Sequence, residues 1–237
     1  MGSEEAWRCS VTPEAAYSAK RIAGMVLEIF PGTASVVDVG CGAGTVLRAF
    51  LDLGVPRVRG LDAAWVARDQ LAIPEDCFTT VDLERGINAP GRFDLAVCLE
   101  VAEHLAPGRA ASFVAELAGL SDLILFSAAI PGQGGVGHIN EQWQSYWAGL
   151  FGQHGLRCYD VLRPRLWDDP GVPPWYKQNT LLFSSRELPL PQAAGMLDLV
   201  HPETYRGIHF RDVTPWVYLN VKTRSWLSRR FGGRRPG

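Results

Sequence analysis

The residues best suited to chemistry lie in a glycine-rich turn in the first quarter of the chain. The apolar run Val36–Val39 contains one acid, Asp38, and leads into a turn with three glycines, Gly40–Gly44. A second acid, Asp62, follows about twenty residues after the turn. This pattern predicts a strand, turn and helix that bind a nucleotide. The glycines let the backbone approach the ligand closely, and the carboxylate of Asp62 can accept hydrogen bonds from both ribose hydroxyls.

Asp38 decides which nucleotide cofactor this turn can hold. A carboxylate at the end of the strand would repel the pyrophosphate of a dinucleotide. S-adenosylmethionine (SAM) carries an ammonium and a sulfonium instead, so an acid here is favourable. The spacing also departs from the dinucleotide fingerprint, because Thr45 stands where a third glycine or alanine is expected. We therefore predict a SAM-binding domain.

A second group of candidate residues, Glu100, Glu103 and His104, follows the predicted fourth strand. On a helical turn, residues at i, i+3 and i+4 share one face. His104 is a candidate general base, because the unperturbed pKa of histidine is about 6.5. Two carboxylates and an imidazole could also ligate a divalent metal together with a further histidine such as His138. Alternatively, these side chains only shape the pocket; we assign no metal ligand and keep a divalent metal as the open alternative.

The polar segment 138–143 comes just after the predicted fifth strand, where loops of such sheets line the acceptor pocket. His138 and Glu141 are candidate catalytic residues, and Asn140 and Trp143 are candidate acceptor contacts. The alternative interpretation is a helix start, with Asn140 as the N-cap and Trp143 as an inward-facing anchor.

The bulk composition is that of an ordinary folded enzyme. The 237 residues are 47% apolar and 20% charged, which suits one α/β domain with an elaboration. A net charge of −2 and an isoelectric point near 6.2 argue against a nucleic-acid partner. No apolar run has transmembrane length, and the first ten residues do not resemble a signal peptide. Five scattered cysteines without a CxxC pair predict reduced thiols, so we expect a cytoplasmic protein.

Alternating apolar strands and amphipathic helices predict a doubly wound parallel sheet, with ligands at the carboxyl ends of the strands. The first helix is expected to begin at Pro13, with Thr12 as its cap, and to stop before Pro31. Further helices are predicted over residues 44–53, 64–71 and 109–117, and another contains Trp143. Strands are predicted over residues 34–39, 57–61, 77–81, 93–98, 122–127, 156–162 and 179–184.

The insertion between the sixth and seventh strands, residues 163–178, contains four prolines and is predicted to be too irregular for a helix. We interpret it as part of a cap over the acceptor. Trp167 and Trp175 are the candidate acceptor contacts within it, although such loops also pack on themselves.

The segment from about Tyr17 to Ser184 resembles the class I SAM-dependent methyltransferases, above all in the motif Asp38-Val39-Gly40-Cys41-Gly42-Ala43-Gly44. The resemblance implies a Rossmann-like sheet of seven mostly parallel strands, with strand 7 antiparallel beside strand 5. The segment Leu99–Leu105 is similar to the one after strand 4 in the subgroup that includes ubiquinone-biosynthesis O-methyltransferases. One fold serves many acceptors, so the resemblance does not identify the substrate.

The resemblance also implies how SAM is held. In the family, the residue matching Asp38 and the backbone at Gly40 hold the methionine end, and the acid matching Asp62 binds the ribose hydroxyls. An acid after strand 3, here Asp82, contacts the adenine amino group, although a loop aspartate is often only a turn residue. The predicted cofactor contacts are Asp38, Gly40, Cys41, Gly42, Asp62, Ala63, Asp82, Leu83, Leu99 and Glu100.

Residues 1–187 are predicted to form the SAM-binding domain, and residues 188–237 a C-terminal extension. From Lys222 onward the chain has six basic residues and no acid, interspersed with apolar side chains. This tail is either solvated or a short amphipathic segment that contacts an anionic membrane surface or a phosphorylated acceptor weakly.

These observations predict a SAM-dependent methyltransferase that acts on a small molecule. The expected acceptor is a hydroxyl of a sugar, nucleotide-sugar, glycolipid or natural-product intermediate. Alternatives are non-methylating chemistry on the same fold in nucleoside or other natural-product biosynthesis, a non-catalytic scaffold, and an RNA methyltransferase, which the acidic isoelectric point disfavours. The oligomeric state is left open.

Overall fold

The computed structural model describes residues 12–89, 91–193 and 195–211. The basic tail after Lys222 and the first eleven residues therefore lie outside the described residues. Two compact units divide the chain, one up to His201 and one from Pro202 onward. Within the described ranges, no helix is long and apolar enough to cross a membrane.

The first unit alternates strands and helices in the order that the sequence predicts, and the second is described through one helix, α7. The elements are α1 (Pro13–Ile29), β1 (Ser35–Val39), α2 (Thr45–Asp52), β2 (Arg57–Asp62), β3 (Phe78–Thr80), β4 (Leu95–Leu99), α3 (Ala110–Leu120), β5 (Leu123–Ser127), α4 (Gln144–Gln153), β6 (Arg157–Tyr159), α5 (Arg163–Leu166), α6 (Pro174–Asn179), β7 (Leu181–Ser184) and α7 (Pro202–Arg211).

The strands of the described chain form one seven-stranded sheet in the order β3-β2-β1-β4-β5-β7-β6. Strands β1 to β5 pair in parallel, whereas β7 is antiparallel to both β5 and β6. The predicted fold class and the antiparallel position of β7 beside β5 are thus confirmed. Strands β1 and β5 are buried along their whole length, as expected for strands that are covered on both faces.

Two apolar clusters lie on opposite faces of the sheet, because successive strand residues point to opposite sides. Val36 of β1 packs in the cluster that contains Met25 of α1 and Phe50 of α2. The next residue, Val37, packs in the cluster that contains Phe113 of α3 and Trp147 of α4. The helices therefore cover both faces and leave the carboxyl ends of the parallel strands open for a ligand.

The start of α1 is confirmed by its cap. Thr12 has extended backbone angles, and its hydroxyl accepts a hydrogen bond of 3.1 Å from the amide of Ala15. Pro13 is the first helical residue, where its missing N–H costs nothing.

The predicted helix over residues 64–71 is wrong, because only one 3-10 turn, Arg68–Gln70, forms there. Tertiary hydrogen bonds take the backbone groups on both sides of this turn. The amide of Ala63 donates to the carboxylate of Asp62, and the amide of Ala72 donates to the carbonyl of Ala43 at 2.8 Å. Local helix propensity is a weak preference that such contacts override.

The prediction that the insertion is too irregular for a helix is also wrong, because it contains α5 and α6. Pro164 and Pro174 lie in the first turns of α5 and α6, and Pro173 is the N-cap of α6; there they favour helix initiation instead of interrupting it. The insertion also packs against α1, since Asp169 forms an ion pair of 2.9 Å with Arg21. The strand before the insertion is shorter than predicted, since β6 ends at Tyr159.

Residues 195–201, which the sequence assigns to the extension, pack with the first unit as a strap. Gln144 of α4 donates to the carbonyl of Leu199 at 2.9 Å, and Arg163 of α5 donates to the carbonyl of Leu197 at 2.8 Å. The carboxylate of Asp198 accepts from the amide and hydroxyl of Ser145. Buried polar side chains thus fix the strap against α4 and α5.

Candidate active site

A cavity of about 590 Å³ opens at the carboxyl ends of β1 to β4. Its walls are the glycine turn after β1, the residues after β2 and β3, and the segment after β4. It brings together many residues that the sequence singles out, from four separate parts of the chain. These are Gly40, Gly42, Asp62, Ala63, Asp82, Leu83, Glu100 and His104.

The turn after β1 requires glycine at position 40. Gly40 has a φ of +78°, a conformation that non-glycine residues seldom adopt. A Cβ at this position would overlap the side chain of Val101, which follows β4. The amide of Gly40 donates to the carbonyl of Leu61 at 2.7 Å, so the turn is also tied to β2. The wall of the cavity therefore depends on the close packing of the Gly40 backbone against Val101, in the segment after β4.

Asp62, at the end of β2, is oriented by two backbone amides. Its carboxylate oxygens accept from Gly42 at 2.7 Å and from Ala63 at 2.6 Å. Burial raises the pKa of Asp62, and these two hydrogen bonds oppose that shift. Each carboxylate oxygen has a second lone pair, so the group can still accept from ligand hydroxyls in the cavity.

Asp38 is the buried acid behind the glycine turn, and it is only 3% exposed. No hydrogen bond to its carboxylate occurs among the described residues. Burial, together with the charge of Asp62, raises the pKa of Asp38 to about 8. A buried carboxylate without a partner is costly, so this position is suited to a cationic ligand.

The other predicted cofactor residues lie in three different settings. Asp82 lines the cavity and also acts as a turn residue, since its carboxylate accepts from the amide of Glu84 at 3.1 Å. Cys41 is buried beside the turn, and Leu99 packs against the apolar core; neither lines the cavity. Cofactor contacts by Cys41 and Leu99 stay predictions.

Glu100 has an unusual backbone conformation at the cavity wall. Its φ of +56° makes it the one non-glycine residue with positive φ in the described ranges, and such strain is concentrated at functional sites. Its carboxylate accepts from the amide side chains of Gln133 at 3.2 Å and Asn179 at 3.3 Å. Burial raises the pKa of Glu100, while these hydrogen bonds and the nearby His138 oppose the shift.

Sequence reasoning missed the amide groups around Glu100. Asn179 is the last residue of α6, and Gln178 beside it donates to both Asn179 and Gln133. All three come from segments that the sequence placed in loops or at a strand edge. In the sequence, these residues are marked only by their positions. Gln178 and Asn179 directly precede an apolar strand, and Gln133 lies within a glycine-rich loop.

Glu103 is fully buried, and neither of its carboxylate oxygens has a hydrogen-bond partner in the described structure. Burial and the neighbouring Glu100 raise the pKa of Glu103 well above its usual value. The predicted helical turn is one 3-10 turn, Ala102–His104, that begins after Glu100. The carboxylate of Glu103 nevertheless lies beside Glu100, and its ligand atom lies within 4.8 Å of that of His104. Glu103 is enclosed, whereas His104 lines the cavity.

His104, His138 and Glu141 form one connected group. The rings of His104 and His138 meet edge to face with centroids 4.8 Å apart. Nδ1 of His138 lies 2.9 Å from Glu141, and Nδ1 of His104 lies 3.3 Å from the carbonyl of Gly137. Burial lowers the pKa of His104, an effect that the Gly137 carbonyl opposes and the charge of His138 adds to. His104 is therefore neutral at pH 7, the form that can accept a proton or bind a cation.

Glu141 holds the glycine-rich loop in shape. Its carboxylate accepts from the amides of Gly132 and Gly134, both at 2.7 Å, in addition to its contact with His138. With these donors around it, Glu141 is suited to orienting His138. Direct participation of Glu141 in catalysis stays a prediction.

Asn140 is not the helix N-cap that the alternative interpretation expects, and Trp143 is exposed instead of facing inward. Helix α4 begins at Gln144, and its N-cap position is Trp143, without a side-chain cap. Asn140 is buried and donates to the carbonyl of Ala102 at 3.3 Å. Asn140 therefore fixes the loop that carries His138 against the turn that carries His104.

The tryptophans of the predicted acceptor cap lie away from the cavity walls. Trp167 packs against His201 with ring centroids 4.6 Å apart, and Trp175 is exposed beside Tyr176. Trp65 does line the cavity and is 63% exposed, although sequence reasoning did not select it. Acceptor contacts by Trp143, Trp167 and Trp175 stay predictions.

Comparison with protein families settles the identity of this fold. A family model described as a methyltransferase domain matches residues 15–159. The chain belongs to this methyltransferase family. Its motif after β1 and its sheet order agree with the class I SAM-dependent members, so the chain contains a class I SAM-dependent methyltransferase domain.

Individual relatives of this methyltransferase are distant. A ubiquinone biosynthesis O-methyltransferase from Methylobacterium sp. (strain 4-46) is 39% identical over 87 residues, which are 34% of this chain and 33% of that protein. The chain thus matches about a third of the length of this curated relative.

Solved structures share the fold of this methyltransferase. SAM-bound magnesium protoporphyrin IX methyltransferase from Synechocystis PCC 6803 aligns with a TM-score of 0.51 and 19% identity, over 72% of this chain and 78% of that one. An O-methyltransferase family protein from Burkholderia thailandensis aligns with a TM-score of 0.50 and 18% identity, over 73% and 57% of the two chains. At these identities the likeness concerns the fold alone.

The residues of the cavity fit SAM. Asp38 does not itself line the cavity, but behind the glycine turn it offers a buried carboxylate that matches an ammonium or sulfonium cation. Asp62 is fixed by two amides where it can accept from ribose hydroxyls, and Gly40 exposes turn backbone at the cavity wall, packed so closely on Val101 that no Cβ would fit. SAM is therefore the cosubstrate of this methyltransferase.

Proposed function

We propose that this methyltransferase transfers the methyl group to a hydroxyl of a small molecule. The observation that carries the proposal is the position of His104, which lines the SAM cavity beside Glu100 and contacts His138. A neutral amine attacks with its own lone pair and can lose a proton afterwards, whereas a hydroxyl is a weak nucleophile unless a base removes its proton as the oxygen attacks. A neutral imidazole at the cavity wall is the group that such a reaction needs.

SAM, when bound, supplies a methyl carbon on a sulfonium, which leaves as a neutral thioether and takes the electron pair of the broken bond. The protein's own residues bind and align the reactants and exclude water. Asp38, Asp62 and the glycine turn bind the cosubstrate, and Glu100 is held by two amides at the boundary with the acceptor. His104 either accepts the hydroxyl proton at a ring nitrogen or binds a cation that acidifies the hydroxyl.

The charge distribution supports a small and uncharged acceptor. The chain has a net charge of −2, and the cavity walls contain four acids and no lysine or arginine. Phosphate-rich polymers need a cationic surface, so a nucleic acid is disfavoured. A hydroxyl on a sugar, a glycolipid or a ring-bearing natural-product intermediate fits better, and the O-methyltransferase activity in the name of the Methylobacterium relative points to the same chemistry.

The test is a methyl-transfer assay with SAM that carries a carbon-13 methyl group. The protein is incubated with sets of phenols, sugars and nucleotide-sugars, with and without added Mn²⁺, and S-adenosylhomocysteine is quantified. We expect release of S-adenosylhomocysteine with at least one hydroxylated acceptor. The carbon-13 chemical shift of the product is expected to be that of a methyl ether.

Two controls make the assay decisive. Asp62→Ala is expected to abolish turnover because SAM no longer binds, and the exposed variant His154→Ala is expected to leave turnover unchanged. A labelled methyl group on nitrogen or carbon would contradict the hydroxyl assignment. Binding of SAM without product from any hydroxylated acceptor would contradict it as well.

A further inference from the structure

The buried carboxylate of Glu103, beside the cavity, has no cationic side chain next to it in the described part of the chain to offset the cost of burying a charge. Glu103 is fully enclosed, and both of its oxygens are without hydrogen-bond partners in the described structure. Its neighbour Glu100 is different, because two amide side chains donate to its carboxylate. An enclosed acid next to another acid is expensive unless a cation is present.

The groups nearest to Glu103 are the two histidines. One ligand atom from each of Glu103, His104 and His138 lies within 4.8 Å of the other two. We propose that these three residues bind a divalent transition-metal ion at the edge of the SAM cavity. The donor set of two imidazoles and one carboxylate suits manganese, iron, cobalt or zinc better than calcium or magnesium, which prefer oxygen ligands.

Both histidines are oriented as metal-binding histidines usually are. The Nδ1 atom of His138 lies 2.9 Å from a carboxylate oxygen of Glu141, and that of His104 lies 3.3 Å from the carbonyl of Gly137. An oxygen acceptor at Nδ1 fixes the proton there, so that the lone pair is on Nε2. Such outer partners are a regular feature of histidines that ligate metals.

The loop that carries His138 is built around this position. A Cβ at Gly135 would overlap Nε2 of the His138 ring, so glycine is needed for the ring to lie where it does. The carbonyl of Glu103 accepts from the amides of Ile139 and Asn140 at 2.9 and 3.0 Å. Three ligands from two distant segments are therefore held together by backbone contacts that do not depend on the ion.

The geometry needs only small adjustments to ligate an ion. Bonds of about 2.0–2.2 Å place ligand atoms roughly 3–4 Å apart, which is about 1–2 Å closer than the limit of 4.8 Å within which these atoms lie. Rotation of the three side chains supplies such a change. Three protein ligands leave coordination positions open for an acceptor oxygen, as in catalytic sites and unlike closed structural sites.

The cation gives His104 a definite role within the proposed function, on which this inference rests. A hydroxyl bound to a divalent ion loses its proton more easily, because the cation stabilises the resulting alkoxide. The proton passes to a water molecule, and the oxygen keeps the electron pair that forms the new bond to the methyl carbon. In the alternative outcome, His104 is the base and no metal binds.

The test is a titration of the full-length, chelator-treated protein with Co²⁺ alone, followed by its visible d–d absorption. We expect one Co²⁺ ion per chain. Glu103→Gln and His138→Ala each remove a proposed ligand and are expected to weaken Co²⁺ binding by at least about 100-fold, the upper end of what loss of an outer partner alone costs. Gly135→Ala is expected to weaken it as well, because the new methyl group displaces the His138 ring. The control is His154→Ala, which removes an exposed histidine beyond the end of α4 and is expected to bind Co²⁺ as the parent does.

Calorimetric titration of SAM into the same proteins separates failure of this inference from failure of the proposed function. Retained SAM binding shows that a variant is folded. If Co²⁺ binds no tighter to the parent than to Glu103→Gln and His138→Ala, the cation site is contradicted, while O-methylation in the presence of EDTA would leave the proposed function intact. If Co²⁺ binds as expected but no hydroxyl is methylated, the metal site stands and the proposed function falls.

Discussion

Two enclosed acids at the carboxyl ends of the sheet, Asp38 and Glu103, invite comparison. Both are almost or fully inaccessible, and neither accepts a hydrogen bond in the described structure. Each stands beside an acid that is well supplied with donors, Asp62 for one and Glu100 for the other. The difference lies in what surrounds them, because Asp38 is behind a glycine turn, whereas Glu103 is beside two histidines.

The different surroundings of Asp38 and Glu103 indicate which kind of cation each carboxylate can bind. The surroundings of Asp38 offer space and backbone groups, which suit an organic cation such as the ammonium of SAM. The surroundings of Glu103 offer further ligands, which suit a bare ion. The two regions touch where Gly40 meets Val101, so the site of the methyl donor and the proposed metal site share a wall.

The largest effect on SAM affinity is expected from adding a side chain at Gly40, where the turn packs against Val101. Gly40→Ala places a Cβ into Val101 at a φ of +78°, and we expect loss of SAM binding by at least about 100-fold, an effect of roughly 3 kcal/mol. Calorimetric titration measures it. Gly54→Ala is the matched control, because its φ of +95° gives similar backbone strain while nothing lies near the new Cβ. Equal SAM affinity in the two variants would show that the close approach is not required.

The second effect is a pH dependence of SAM affinity that is due to Asp38. Its pKa of about 8 means that the carboxyl is mostly protonated at pH 7 without a ligand. Only the ionised carboxylate attracts the ammonium, so we expect affinity to rise from about pH 6.5 towards pH 8. Affinity should fall again at higher pH, because the α-ammonium of SAM loses its own proton at about pH 8. Binding at pH 7 should release a proton, which calorimetry in buffers of different ionisation enthalpy detects. A flat profile that is shared with Asp38→Asn would contradict this assignment.

The third effect concerns stability in the absence of SAM. The folded-state pKa of Asp38 is above its unfolded value of 3.8. The stability associated with this group is therefore full below about pH 4 and is lost as the pH rises through about 8. Asp38→Asn removes the buried charge, and we expect it to raise the free energy of unfolding at pH 9 by on the order of a few kcal/mol. Urea unfolding measures it, with the exposed Asp69→Asn as the control that should not change it.

The smallest effect is expected at the amides that hold Glu100. Asn179→Ala removes the hydrogen bond of 3.3 Å to the carboxylate of Glu100, which is worth about 1–2 kcal/mol. It also removes side-chain hydrogen bonds with Gln133, Gln144 and Gln178, so some loss of stability is expected as well. We expect a decrease of a few-fold to about 20-fold in kcat for methyl transfer, with little change in SAM affinity. A change confined to thermal stability would show that Asn179 serves folding alone.

The fold was largely predictable because its signals are local. The cap at Thr12, the glycine turn and the apolar strands each depend on a few adjacent residues, and the structure bears them out. The errors arose where tertiary contacts override local preference. Prolines in the first turns of α5 and α6 promote helices, and hydrogen bonds around Asp62 and Ala43 replace the helix that residues 64–71 suggest.

The site was predictable only in part, for a related reason. Asp38, Asp62 and Gly40 follow from one motif with fixed spacing. The amides of Gln133, Gln178 and Asn179 meet Glu100 only after three distant segments have packed. The enclosure of Glu103 likewise depends on a loop that begins after β5. Contacts between residues so far apart in the sequence cannot be predicted from the spacing of residue types.

The most direct test of the account is a crossed binding measurement on three proteins: the parent, Asp38→Asn and Glu103→Gln. SAM and Co²⁺ affinities are each measured by calorimetry on chelator-treated samples at pH 8. We predict that Asp38→Asn loses SAM binding and keeps Co²⁺ binding, whereas Glu103→Gln keeps SAM binding and loses Co²⁺ binding. Loss of both ligands together in either variant, or of neither, would contradict the claim that each enclosed acid is matched to its own cation.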